Sequence, residues 1–99
     1  MPFSLMKEQG RQILRLEGPV TIRDSRELAS TLMEELEAGL AAEVDCSGLE
    51  DIDTCILQLL CSLRKTVPEL TFCSPGEVLI HAVDRCGLRR ELLGTGEDL

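Results

Sequence analysis

Apolar residues recur at every fourth position between residues 28 and 40, and this spacing is typical of an amphipathic helix. The apolar positions are Leu28, Leu32, Leu36 and Leu40, and acidic residues on the other side are Glu34, Glu35 and Glu37. The run from Asp24 to Glu27 has the form of a capping box, in which Asp24 or Ser25 caps the helix. We therefore predict a helix that begins there and ends at Gly39.

Short segments with strand character lie on both sides of this helix. Residues 3–7 and 12–17 flank a Gln9-Gly10 turn signal, which predicts a hairpin that Gly18-Pro19 ends. Residues 44–46 and 70–73 each predict a further short strand.

Two further helices are predicted in the second half of the chain. One runs from Thr54 to about Val67, because Pro68 cannot continue it. The other starts at Ser74-Pro75 and ends at Gly87, and a final turn covers residues 89–93. The element order β-β-α-β-α-β-α predicts an α/β fold in which crossovers join parallel strands.

The size of the chain predicts one domain, since 99 residues show no internal repeat or linker. We expect this domain to span residues 1–99, with a core over about 4–93 and a polar tail over 94–99.

The helix predicted from Thr54 has two contrasting faces at 100° per residue. The predicted core stripe is Ile56, Leu59, Leu60, Leu63 and Val67. The opposite face carries Thr54, Gln58, Cys61, Ser62 and Lys65, with Cys55 at its edge. Solvated helix faces of acidic proteins usually carry pairs of Glu and Lys, so this nearly uncharged face is better suited to contact with another protein.

Thr54 admits two interpretations from its position alone. In the first, Asp53 or Thr54 is an N-cap that stabilises the helix by about 1 kcal/mol. In the second, the Thr54 hydroxyl accepts a phosphate, which would add about −1.5 to −2 charges. Asp51 and Asp53 would repel that phosphate, and a partner would lose a neutral surface.

Charge and composition exclude several classes of partner. The net charge of −8 argues against a nucleic-acid partner, because binding to a phosphate backbone needs a basic surface. The first residues lack the apolar stretch of a signal peptide, and no window approaches 18 apolar residues. We therefore expect a cytoplasmic protein without a membrane span.

Catalytic and metal-binding chemistry is not predicted. The five cysteines include no Cys-x-x-Cys pair and His81 is the one histidine, so we expect small apolar cysteines rather than a zinc site. Glu50, Asp51 and Asp53 lack the ligand order of a calcium-binding loop, so we expect a solvated loop there. No Gly-rich phosphate loop is present. We expect no cofactor and no enzyme activity.

The segment VDCSGLEDIDTCILQLL resembles the signature of the STAS domain, named for sulphate transporters and anti-sigma factor antagonists. Asp45-Cys46-Ser47-Gly48 matches the family's strand end, and Asp53-Thr54 matches its helix start. TFCSPGEVLIHAVDRCGL resembles the strand, loop and third helix that follow. The resemblance covers about residues 4–93 and implies a mixed sheet of four to five strands with three to four helices.

In anti-sigma factor antagonists of this bacterial signal-transduction family, the hydroxyl residue after the Asp is phosphorylated by an anti-sigma factor kinase. The unmodified form binds that serine/threonine kinase and frees a sigma factor. The resemblance thus implies that Thr54 is the phosphoacceptor and that Asp53 shapes its local field. It also implies that the kinase docks on the helix 54–67. Separately, we expect Asp24, at the end of the preceding loop, to pack near the same surface.

An alternative function follows from a second group within the family. Thr54 and the following Gln-Leu-Leu run are similar to the STAS proteins of bacterial chemotaxis clusters and to the STAS subunit of a phospholipid-trafficking ABC transporter. In the transporter subunit the same face would bind an ATPase without a phosphorylation switch. A small ligand in the cleft beside the Asp53 loop is a third, less favoured interpretation.

Overall fold

The computed structural model describes residues 2–37, 39–67, 69–88, 90 and 92. The elements are β1 (Phe3–Glu8), β2 (Arg11–Val20), α1 (Ile22–Glu35), β3 (Ala41–Ile52), α2 (Thr54–Thr66), β4 (Leu70–Cys73) and α3 (Gly76–Arg85). β1 pairs antiparallel with β2, whereas β2 with β3 and β3 with β4 pair parallel, in the sheet order β1-β2-β3-β4. The predicted α/β fold, its mixed sheet and its element order are confirmed.

The core lies between one face of the sheet and the helices, and it is almost entirely aliphatic. Alternate residues of β2 and β3 point into it, among them Leu16 and Val44. They pack with Leu28 of α1, Ile56 of α2 and Leu79 of α3, which are fully buried. The helices are thereby held on the sheet by apolar burial.

The two longest strands extend beyond the predicted ranges. β2 continues through Gly18-Pro19 to Val20, which is possible because β1 pairs with β2 only as far as Leu16. The hairpin pairing thus ends before Gly18-Pro19, as predicted, but the strand itself continues to Val20 instead of ending at Glu17. β3 covers residues 41–52 instead of 44–46, and it pairs with β2 through register shifts.

The acidic segment before α2 is part of that extended strand. Glu50 and Asp51 lie in the last residues of β3 and are exposed. The expectation of a loop at these two positions is wrong, because β2 pairs with Asp51 and Ile52. The connection between β3 and α2 is reduced to Asp53.

The start of α1 differs from the prediction by one turn. Thr21 is the N-cap, and its Oγ1 accepts a hydrogen bond from the N–H of Arg23 at 3.3 Å. The Asp24 carboxylate accepts a hydrogen bond from the N–H of Thr21 at 2.9 Å, which completes a capping box. The prediction that Asp24 or Ser25 is the cap is therefore wrong, because Asp24 is the third residue of the helix.

The end of α1 also differs, since the helix stops at Glu35 rather than at Gly39. Gln12, which is fully buried, explains the early stop. Its Nε2 donates to the carbonyl oxygens of Glu37 at 2.6 Å and Leu40 at 3.1 Å, and its Oε1 accepts from the N–H of Glu37 at 3.0 Å. These bonds tie the connection after α1 to β2 and compete with further helical hydrogen bonds.

The C-terminal region agrees with the prediction where it is described. α3 ends at Arg85, and Gly87 follows in the left-handed conformation with φ 71°. Leu92 of the predicted final turn is buried in the core, and the Arg64 Nε donates to its carbonyl oxygen at 2.7 Å. The predicted polar tail over residues 94–99 lies outside the described residues.

Candidate docking site on the second helix

α2 begins at Thr54 as predicted, but its buried stripe differs from the predicted one at one position. The buried residues of this segment are Ile56, Leu57, Leu60, Leu63 and Val67. Leu57 was missed, and Leu59, placed in the core by the pattern, is only half-buried. Leu59 instead faces α1 across a groove, so the stripe is shifted round the helix relative to the prediction.

The opposite side of α2 is open to solvent along its length. We define the outer face as the exposed residues Thr54, Gln58, Ser62 and Lys65. Cys55 and Cys61, which the sequence placed on or beside this face, are half-buried at its edges. The outer face carries one charged side chain, that of Lys65. Four of the residues proposed from the pattern are therefore exposed on one side of α2, whereas the two cysteines are partly covered.

Asp53 joins the starts of two helices. Its carboxylate Oδ2 accepts a hydrogen bond from the backbone N–H of Ile22, the first residue of α1, at 2.7 Å. Its own N–H donates to the carbonyl oxygen of Val20 at 3.2 Å. Its carbonyl oxygen accepts from the N–H groups of Ile56 at 3.0 Å and Leu57 at 3.2 Å, which starts α2. One residue thus fixes where both helices begin.

This arrangement modifies the interpretation of Asp53 as a cap. Asp53 holds the N-cap position of α2, but its side chain makes no cap bond to that helix. The carboxylate serves α1 instead, where a negative charge is favourable near the helix N-terminus. The first turn of α2 contains no acidic residue, so this N-terminus keeps its partial positive charge at the surface.

The Thr54 hydroxyl lies at the surface beside the end of α3. Its Oγ1 is 3.5 Å from the Sγ of Cys86, the C-cap residue of α3. Asp24, expected near the same surface, is in the first turn of α1, whose N-terminus adjoins Asp53. The Asp24 carboxylate is engaged by Thr21. Thr54 is therefore presented as an exposed hydroxyl close to three helix ends.

The motif at the middle of β3 has a structural role. The Asp45 Oδ1 accepts a hydrogen bond from the N–H of Ser47 at 3.0 Å, and the Asp45 Oδ2 lies 3.4 Å from the Arg15 Nε. The bond from Ser47 and, to a lesser extent, the nearby Arg15 guanidinium lower the pKa of Asp45 below its ordinary value. Because the folded state favours the ionised carboxylate, this stabilisation is lost as the pH falls through the lowered pKa.

Cys46, the next residue, points into the core. Burial, followed by the nearby Asp45 and Cys73, raises the pKa of the Cys46 thiol to about 12. The thiol stays protonated at neutral pH and acts as a small apolar side chain.

A groove between α1 and α2 adjoins the outer face, and the sequence pattern did not reveal it. It has a volume of about 310 Å³. Its lining residues are Ala29, Leu32, Met33 and Leu36 of α1 and Leu59, Ser62, Leu63 and Thr66 of α2. Ser62 belongs to both surfaces, so the outer face continues into an apolar groove.

Two further properties concern the described part of the chain alone. No group of three or more His, Cys, Asp or Glu side chains among these residues is arranged to hold a metal ion. None of the helices in the described ranges is long and apolar enough to cross a membrane.

Comparisons with known proteins agree with this architecture. The family model described as "STAS domain" matches residues 4–98. No curated protein matches the chain. A solved structure described as "Crystal Structure Analysis of Mglu" is similar, with a TM-score of 0.62 and 17% sequence identity, over 77% of this chain and 20% of that chain. The chain thus spans about a fifth of that protein's length, and the similarity concerns the fold alone.

Proposed function

Because the chain belongs to the STAS domain family, we propose that it is a regulatory module that docks on a partner protein through the outer face of α2. STAS domains mediate protein–protein interaction as antagonist-like or transporter-associated modules, and they are generally not enzymes. The proposal concerns which surface binds, what kind of partner binds it and how binding is controlled.

The exposure of an almost neutral helix face in a chain of net charge −8 is the observation that carries this proposal. Interface centres are depleted of charged residues, because each charge that leaves water costs free energy unless it is paired. Thr54, Gln58 and Ser62 have short or uncharged side chains and lose little on burial. Lys65 stands at the far end of the face, where it can remain at a solvated rim.

The proposed partner is an anti-sigma factor with serine/threonine kinase activity. A kinase must reach a hydroxyl that protrudes from its substrate, and Thr54 is exposed at the first position of α2. The N-terminus of α2 has no acidic residue in its first turn and no side-chain cap. It therefore offers backbone N–H groups and a partial positive charge to an acceptor group of the partner.

Phosphorylation of Thr54 would act as the switch that ends binding. The phosphate would place about two negative charges on a face that carries none. Asp53, the adjacent residue, is held by Ile22 and cannot turn away without losing that hydrogen bond. The partner would then have to desolvate the phosphate beside a fixed carboxylate, which weakens the complex.

The experiment is to incubate the protein with the purified candidate kinase and ATP, and to map the product by mass spectrometry. We expect a single phosphoryl group on Thr54, and no incorporation into Thr54→Ala. Thr66→Ala, a matched change at the other exposed end of α2, should be phosphorylated like the wild type. Thr54→Glu should bind the kinase at least about tenfold more weakly, since two buried like charges cost more than 1.4 kcal/mol.

Phosphorylation at another residue, or tight binding by Thr54→Glu, would contradict the switch. Stable binding of the unmodified outer face to the ATPase subunit of a transporter, without phosphoryl transfer, would instead assign the transporter-associated role.

A further inference from the structure

Two large apolar side chains of α1 are largely exposed, and one of them, Met33, stands at the rim of the groove between α1 and α2. Ile22 is 67% exposed and Met33 is 86% exposed. They are separated by eleven positions, which is about three turns of helix, so they lie on the same side near its two ends. Single exposed apolar residues are common on protein surfaces, so these two count only together with the charges beside them.

Two charged residues follow the same spacing, one position further along the helix. Arg23 and Glu34 are exposed, and neither side chain makes an ion pair or hydrogen bond within the described part of the chain. Both charges are also unfavourable for an isolated helix. Arg23 is positive at the N-terminus of α1, which attracts negative charge, and Glu34 is negative at the C-terminus, which attracts positive charge. A neighbouring segment with an acidic residue beside Arg23 and a basic residue beside Glu34 would neutralise both charges.

We propose that α1 is an interface for a second copy of this chain, packed antiparallel about a two-fold axis between Arg26 and Ser30. In this arrangement Ile22 contacts Met33 of the second copy, and Arg23 pairs with Glu34 of the second copy. The two-fold axis generates each contact twice. Both residue pairs have their midpoint near position 28, so one axis satisfies the apolar and the ionic contacts together.

The charges of Arg23 and Glu34 favour an antiparallel second copy over a parallel one. Self-pairing in the antiparallel direction brings the basic end of α1 onto the acidic end of its neighbour, whereas parallel pairing would bring like charges together. In an antiparallel pair, residues on one side of the first helix face residues on the same side of the second. Arg23 and Glu34 lie on the same side of α1, so Arg23 of one copy can face Glu34 of the other.

The dimer is expected to be weak. α1 has 14 residues and is about 21 Å long, so it buries a small area. Interfaces below about 1,200 Å² are usually transient, so we expect monomer and dimer to exchange rather than a permanent dimer. The proposal concerns α1 and does not depend on the partner bound by α2.

Sedimentation velocity over a concentration series from about 1 µM to about 1 mM tests the proposal. We expect a monomer–dimer equilibrium for the wild type. Arg23→Glu and Glu34→Arg should each raise the dissociation constant at least about tenfold, because each reversal introduces two like-charge contacts per dimer. The double variant Arg23→Glu/Glu34→Arg should dimerise like the wild type, and an equimolar mixture of the two single variants should form a heterodimer.

Glu35→Arg is the matched control, since it makes the same charge change in the same turn but on another side of α1. It should leave the dissociation constant unchanged, and circular dichroism should show all variants folded. A wild type that stays monomeric throughout would overturn the proposal. So would a control that disrupts the dimer as strongly as Glu34→Arg, or a double variant that fails to restore it.

Discussion

Replacing Gln12 with leucine is expected to lower the free energy of unfolding by about 3 kcal/mol, because buried hydrogen-bonding groups would lose their partners. Gln12 is fully buried and binds Glu37 and Leu40 through three hydrogen bonds of 2.6–3.1 Å. Leucine fills a similar volume but satisfies none of these groups. Urea unfolding followed by circular dichroism measures the change.

Gln9→Leu is the control for this substitution, since Gln9 is exposed in the turn between β1 and β2. It should change the free energy of unfolding by less than about 0.5 kcal/mol. A Gln12→Leu variant as stable as the control would show that the tie between β2 and the segment after α1 does not hold the fold together.

Placing one negative charge at the centre of the outer face is expected to reduce partner binding by about 30- to 150-fold. Gln58→Glu keeps the size of an exposed side chain and adds only the charge, which binding would have to bury unpaired. Such burial costs about 2–3 kcal/mol when the partner offers no counter-charge. Isothermal titration calorimetry with the purified partner measures the loss.

Gln9→Glu makes the same chemical change outside α2 and serves as its control. It should bind as the wild type does, and both variants should melt within a few degrees of the wild type because both positions are exposed. If Gln58→Glu and Gln9→Glu bound the partner with equal affinity, the binding surface would lie outside the outer face of α2.

The order of elements could be predicted because it depends on local patterns. The fourfold repeat from Leu28, the stop imposed by Pro68 and the apolar run at residues 70–73 each act within a few residues. β4 and the start of α2 were predicted at the residues where the structure has them. Parallel pairing followed from the alternation of strands and helices.

Two of the errors come from interactions between residues far apart in the chain, and one comes from a local ambiguity. The end of α1 depends on Gln12, which is 25 positions from Glu37. The length of β3 depends on pairing with β2 beyond Gly18-Pro19. The cap of α1 was misplaced because Thr21, Asp24 and Ser25 are all suitable N-cap residues, and local sequence does not choose among them.

The sequence predicted which residues of α2 share one face, but it did not predict the contacts that this face makes with the rest of the fold. Helical periodicity alone placed Thr54, Gln58 and Ser62 on one face. The carboxylate of Asp53 could not be assigned to α1 from sequence, because its contact with Ile22 joins positions 31 apart. The groove beside Ser62 likewise depends on how α1 and α2 pack.

The most direct measurement of the docking surface is site-specific photocrosslinking in the native cell. A photoreactive amino acid at position 58 lies in the outer face, and the same amino acid at position 9 lies in the exposed turn between β1 and β2. We expect position 58, and not position 9, to yield one discrete covalent adduct with a partner protein, and Thr54→Glu to diminish that adduct. An adduct at position 9 with none at position 58 would contradict docking through α2.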